Sequence, residues 1–163
     1  ANSLNTRIPE LLNQHIESNK IKVRHQCGRN NIEKTKQKYT LNDNLNITEF
    51  ITDMSGAYGW ADFIIARAGA LTIAEINAVG LPSILIPYPY AVDDHQTFNA
   101  RNIVDSKAGY IWQETQDISE LKNNIIALID NKSLRNEMAQ MSKKLHRKDS
   151  AKKVAEICME IAS

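Results

Sequence analysis

Apolar positions along this chain fall into short runs of period two and longer runs of period three to four, in alternation. Residues 3–18 place Leu4, Ile8, Leu11, Leu12 and Ile16 on one face, which predicts an amphipathic helix. Pro9 lies inside that span, so the regular helix is expected to begin there, where a missing N–H is harmless. Residues 20–27 alternate Ile21, Val23 and His25 with Lys22, Arg24 and Gln26, a strand pattern that Gly28 closes. The polar segment 30–39 predicts a surface helix, and 44–51 predicts a second strand. Met54, Tyr58 and Trp60 are the packing residues expected of a short helix after it. Further along, 83–86 reads as a buried strand and 109–112 as a last short one. Pro87 and Pro89 stiffen the loop 87–94, where Asp93 or Asp94 can cap the next helix. Helices are expected at about 117–130, 133–146 and 150–162.

Residues 63–82 give the strongest local signal: strand, tight turn, helix and stop. The run 63–66 is apolar, the pattern of a strand buried on both faces. Gly69 is expected to permit the close turn, and the helix to carry Leu71, Ile73, Ala74, Ile76 and Ala78 inward. Gly80 with Pro82 ends it. At such a junction the first helical N–H groups have no partner within the helix and the dipole is positive, so an anion, most often a phosphate, is held there. Thr72-x-x-Glu75 also fits a capping box, in which those two side chains satisfy the orphan N–H groups themselves. The pattern supports both readings about equally.

Strands alternating with helices predict an α/β fold, a parallel sheet covered on both faces, in one domain. In such folds ligands bind outside the carboxyl ends of the strands. The loops around Gly28, around Ile51, at 67–72 and at 87–96 are therefore expected on one edge. They collect Arg67, Thr72, Glu75, His95, Gln96 and Asn99, a set that suits a phosphorylated, hydroxyl-rich ligand. His95 beside Asp94 could do acid–base work, although a histidine there is more often a surface or capping residue. No nucleophile elbow, P-loop or metal-ligand spacing occurs, so neither a metal nor a resident cofactor is expected.

Composition narrows this further. With 163 residues, 42% hydrophobic and 24% charged, the chain is long enough for one sizeable core. A formal net charge of +1 argues against bulk electrostatic binding to nucleic acid. Cys27 and Cys158 are far apart and are expected to be reduced packing residues. No apolar run approaches the roughly 20 residues that span a bilayer. Lys132, Arg135, Lys143, Lys144, Arg147, Lys148, Lys152 and Lys153 make the C-terminal region basic, by default a solvated helical face, with attraction to an anionic leaflet the minor alternative. The chain opens on Ala1 rather than methionine, which suggests a piece cut from something longer.

Four ordered motifs carry a resemblance: 66–75 (Ala-Arg-Ala-Gly-Ala-Leu-Thr-Ile-Ala-Glu), Glu49-Phe50-Ile51-x-Asp53-Met54, Gly80-Leu81-Pro82-x-x-x-x-Pro87, and 94–100 (Asp-His-Gln-Thr-Phe-Asn-Ala). Together they resemble the MurG family, bacterial enzymes that move GlcNAc from UDP-GlcNAc to lipid I in peptidoglycan synthesis. The resemblance covers nearly the whole chain and is to the C-terminal, donor-binding half of a GT-B glycosyltransferase with a Rossmann-like sheet. Asn2-Ser3-Leu4-Asn5 look like the continuation of that family's glycine-rich loop, whose earlier part and N-terminal acceptor domain are expected to be missing.

The resemblance implies roles. The backbone at Ile51 would hold uracil. Ala70, Leu71 and Thr72, with Ile73 and Ala74 in the same turn, would meet the diphosphate. Glu75 would accept the ribose hydroxyls, Gln96 and Asn99 would contact GlcNAc, Arg67 would sit close to the nucleotide, and His95 is a further possibility. Tyr90 stands where many relatives have histidine, which leaves that position without an implied role. The partners implied are UDP-GlcNAc, lipid I through the missing domain, and the cytoplasmic face of the bacterial inner membrane, peripherally. The family's general base lies in the missing half, so this chain alone is expected not to transfer. Two alternatives remain: a non-catalytic donor-binding subunit of a two-chain transferase, and a UDP-GlcNAc epimerase-like domain.

Overall fold

The computed structural model describes residues 2–90 and 95–146. They form two compact units, one from the residues up to Trp60 and the other from Ala61 onward. Every pairing is parallel and every crossover between paired strands carries a helix, as the alternation predicts. The expected single sheet takes the form of two ladders, β1–β2 and β3–β4–β5. The helix between β2 and β3 leads out of the first ladder rather than to a hydrogen-bonded neighbour.

In the first unit α1 spans Asn2–Glu17 and buries Ile8, Leu12 and Ile16 at a spacing of four. It does not begin at Pro9 but runs through it. The ring is itself buried, and the first turns are pinned from outside the helix. Asn5 Nδ2 donates to the Cys27 carbonyl at 2.8 Å. One lost backbone bond is thus outweighed by packing and an external anchor. β1 (Val23–Gln26) pairs with β2 (Leu45–Thr48), Val23 opposite Leu45, and α2 (Ile32–Lys36) bridges them. Both strands and α2 are shorter than the pattern suggested. Cys27 is buried, its Sγ donates to the Thr48 carbonyl at 3.2 Å, and burial pushes its thiol pKa up, as expected of a packing residue.

α3 (Met54–Trp60) is capped by Asp53, whose Oδ1 accepts from the Gly56 N–H at 2.8 Å. Tyr58 is buried as predicted, but Trp60 is 43% exposed, with the Arg24 guanidinium 4.4 Å above its ring. On the other face of β1, His25 sits between two partners. The Asn5 amide is oriented by the Cys27 carbonyl, so its Oδ1 accepts from His25 Nε2–H at 2.9 Å. His25 Nδ1 then accepts from the Tyr39 hydroxyl at 2.9 Å, and burial pushes the Tyr39 phenol pKa up.

In the second unit β3 (Ile64–Ala66), β4 (Ser83–Leu85) and β5 (Gly109–Ile111) lie side by side, with Ser83 opposite both Ile64 and Gly109. β4 is central and wholly buried. β3 is an outer strand of this ladder and only half-buried, not covered on both faces as its apolar run suggested. α4 (Ala70–Val79) ends at Gly80, where φ is +77° and the N–H donates back to Ile76. Its buried stripe is Ile73, Ile76 and Asn77, whereas Leu71, Ala74 and Ala78 face out. Both stripes carry apolar residues at helical spacing, and the buried one also carries Asn77, so hydrophobicity alone could not choose it. Packing does: α4 lies on α7 (Lys132–Lys144), and the buried Ser142 hydroxyl donates to Asn77 Oδ1 at 3.1 Å.

α5 (His95–Asp105) leads into β5, and α6 (Ile118–Asp130) follows. Asp117 caps α6 through the Ser119 N–H and Asn131 caps α7 through the Leu134 N–H, close to the predicted starts. The helix expected at 150–162, Cys158, and Asp93 with Asp94 lie outside the described residues.

Two outcomes follow from this packing. A Cβ at Gly109 would press on the Ser83 carbonyl and hydroxyl and on Ile103 of α5. Gly109→Ala should therefore cost about 1–3 kcal/mol, read by urea denaturation. His25 has its pKa lowered by burial, so the unfolded chain takes up the proton first as pH falls. Stability present above the ordinary imidazole range should be lost as pH falls through it towards the lower folded value, and His25→Gln should flatten that slope.

Candidate functional site

The predicted residues divide between the units: Ile51 belongs to the first, and Arg67, Ala70, Leu71, Thr72, Ile73, Ala74, Glu75, His95, Gln96 and Asn99 to the second. In the first unit the loops after β1 and β2 leave the same end of a parallel ladder and are tied together there. The Gly28 N–H donates to the Glu49 carbonyl at 3.0 Å, and Glu49 Oε1 accepts from the Asn30 N–H. Ile51 is half-buried just past β2, and its N–H donates to Gln26 Oε1 at 2.9 Å. A polar cavity of about 520 Å³ lies beside it, with Arg24, Asn46, Thr48, Phe50, Ile51 and Trp60 in its wall.

In the second unit the helix start is open. Gly69 is the N-cap of α4, with φ −67° and ψ 142°, and, having no side chain, it supplies no cap hydrogen bond of its own. This backbone is extended and available to any residue, and a Cβ there would meet Thr72 Oγ1 only at 3.7 Å. The turn therefore does not need the glycine, contrary to the expectation that Gly69 permits it. What the glycine does is place no capping side chain of its own at the N–H groups of Ala70, Leu71 and Thr72. Thr72 is the third residue of the helix and Glu75 the sixth, so the capping box is not formed. Ala70 and Leu71 are exposed, Leu71 at 74%, Ile73 is buried, and Thr72 and Glu75 are half-buried.

Around this helix start the other candidates are already engaged. The Asn99 Nδ2 donates to the Ala68 carbonyl at 3.4 Å, and Gln96 Oε1 accepts from the Tyr88 N–H at 2.9 Å. His95 opens α5. The Arg67 guanidinium is the hub: Nη1 donates to the carbonyls of Pro87 at 3.0 Å and Ile86 at 3.3 Å. Its Nη2 pairs with Glu114 Oε1 at 2.7 Å, and its planar group lies 5.4 Å from the Tyr88 ring centre. Tyr88 and Tyr90 contact each other edge to face, and Tyr90 is 81% exposed. Sequence reasoning missed Glu114 and Gln26. Neither stands in a motif, and only the meeting of loops from separate strands gives them a role.

The model of the glycosyltransferase family 28 C-terminal domain matches residues 1–154. The chain belongs to this family. A UDP-N-acetylglucosamine–N-acetylmuramyl-(pentapeptide) pyrophosphoryl-undecaprenol N-acetylglucosamine transferase of Shewanella denitrificans is 43% identical, over 99% of this chain and 45% of its own length. The enzyme of the same name from Dechloromonas aromatica is 42% identical, over 99% and 46%. The crystal structure of Acinetobacter baumannii MurG matches with a TM-score of 0.84 at 35% identity, covering 98% of this chain and 46% of that one. Spinosyn forosaminyltransferase SpnP, at 16% identity and a TM-score of 0.55, shares the fold alone. This family 28 domain thus has the α/β architecture of GT-B glycosyltransferases, and it spans about half the length of the curated relatives it matches.

The open start of α4 generates a stability outcome. Because Thr72 does not cap the helix, Thr72→Ala should not incur the ~1 kcal/mol penalty of a lost N-cap. Chemical denaturation should place the variant within about 0.5 kcal/mol of the parent.

Proposed function

We propose that this family 28 domain is the UDP-GlcNAc-binding half of an inverting N-acetylglucosaminyltransferase that converts lipid I to lipid II in peptidoglycan synthesis. The observation that carries the reading is the start of α4, a ten-residue helix whose N-cap is a glycine, a residue with no side chain to cap the first N–H groups. Such a terminus suits a diphosphate, and it stabilises the negative charge that builds on UDP as the acceptor hydroxyl displaces it from the anomeric carbon. Glu75, one turn into the helix, presents a carboxylate to the ribose diol. Gln96 and Asn99 face the sugar hydroxyls. At Ile51 the Gln26 side chain holds the N–H, so the carbonyl oxygen is the group left to meet the N–H of uracil.

The names of the relatives support both the donor and the acceptor. Lipid I and a peripheral position at the cytoplasmic face of the inner membrane belong to the whole enzyme under this reading. No described helix is long and apolar enough to cross a membrane. These 163 residues by themselves bind the donor without transferring it, since the general base that the family resemblance implies lies in the other half. No metal or cofactor takes part in this reading.

Calorimetric titration with UDP, UDP-GlcNAc and NAD tests it. Both uridine ligands should bind and NAD should not. Glu75→Ala should weaken both by roughly ten-fold or more, the scale of a lost hydrogen bond to a charged group. Failure of the parent chain to bind either uridine ligand, or turnover of UDP-GlcNAc onto lipid I by the chain alone, would count against the proposal.

A further inference from the structure

We infer that Glu114 is a positioning residue for the sugar end of the donor site, acting through Arg67 on Gln96 and Asn99; this rests on the donor-binding reading above. Glu114 follows β5, two strands away from Arg67 at the end of β3, yet the two side chains meet at 2.7 Å and are only 16% and 20% exposed. A pair so far out of water gains little net stability, because desolvation offsets the attraction. Its effect is geometric. With Nη2 fixed by the carboxylate, the planar guanidinium aims Nη1 at the carbonyls of Ile86 and Pro87.

Those contacts hold the chain leaving β4, and the next N–H, that of Tyr88, is the donor that fixes Gln96 Oε1. On the other side of Arg67 the adjacent residue, Ala68, supplies the carbonyl that fixes Asn99 Nδ2. Both candidate sugar contacts are thus oriented by backbone on either side of one guanidinium. The result is a complementary pair. Gln96 has one bond to its oxygen and keeps its whole NH₂ to donate, whereas Asn99 has committed one N–H and keeps its whole oxygen to accept. A sugar hydroxyl both donates and accepts, so neighbouring hydroxyls find one partner of each kind. The uridine diphosphate contacts proposed for Ile51, α4 and Glu75 do not depend on this network.

The test is a selective one. Glu114→Gln keeps the shape and one acceptor oxygen but removes the charge that fixes Arg67. Calorimetry on the full chain with UDP-GlcNAc and UDP, with Tm recorded in parallel, should show affinity for UDP-GlcNAc falling about ten-fold while that for UDP stays within about two-fold. Glu114→Asp should recover part of the loss. Arg67→Lys, which keeps the charge but loses the planar fork, should reproduce the selective defect. An unchanged ratio of the two affinities, or an equal loss of both with a lowered Tm, would overturn the positioning role while leaving donor binding intact. Absence of binding by the parent chain would overturn both.

Discussion

Backbone carbonyls at the carboxyl end of a short parallel ladder must find donors once the strand pairing stops, and in the second unit one guanidinium meets that demand. β4 is three residues long and wholly buried, so the chain leaving it carries polar groups out of a dry interior. Arg67 reaches across from β3 to the carbonyls of Ile86 and Pro87, and Glu114 reaches across from β5 to Arg67. All three strands of the ladder are joined beyond their last backbone hydrogen bond.

The same end of the ladder is where α4 begins, and the two features complement each other electrically. A helix start with no capping side chain carries uncompensated positive partial charge. The cation nearest in sequence, Arg67, is already neutralised by Glu114 and committed to carbonyl groups. Under the proposed reading, the diphosphate would thus be held by oriented N–H groups more than by a free side-chain charge. Such groups discriminate by direction and distance.

Much of the fold was legible because strand and helix periods differ, and α6 and α7 begin within a residue of their predicted starts. The misreadings share a cause: local pattern was asked to settle what tertiary packing decides. Pro9 resembles a helix start, yet burial and the Asn5 anchor carry α1 through it. Thr72 and Glu75 have capping-box spacing, but the helix begins two residues before Thr72. α4 is apolar around most of its circumference, so only the buried Asn77–Ser142 pair reveals which stripe faces inward. Topology alone collected Arg67, Thr72, Glu75, His95, Gln96 and Asn99, whereas their separate roles, and Ile51, Ala70, Leu71, Ile73 and Ala74, came through family motifs. Glu114 stands in the plain polar stretch Gln113-Glu114-Thr115-Gln116, where nothing local separates it from a solvated charge.

The Asn77–Ser142 contact also has a geometric meaning for α4. Apolar ridges tolerate small rotations of one helix against another, whereas a sealed polar pair loses its hydrogen bond if either helix turns. Asn77 therefore acts as an angular index for the whole helix. Glu75 lies two residues earlier, roughly 200° around the axis, on the side turned away from α7. The compass bearing of that carboxylate is set by a hydroxyl on the opposite side of the helix, 67 residues further along the chain.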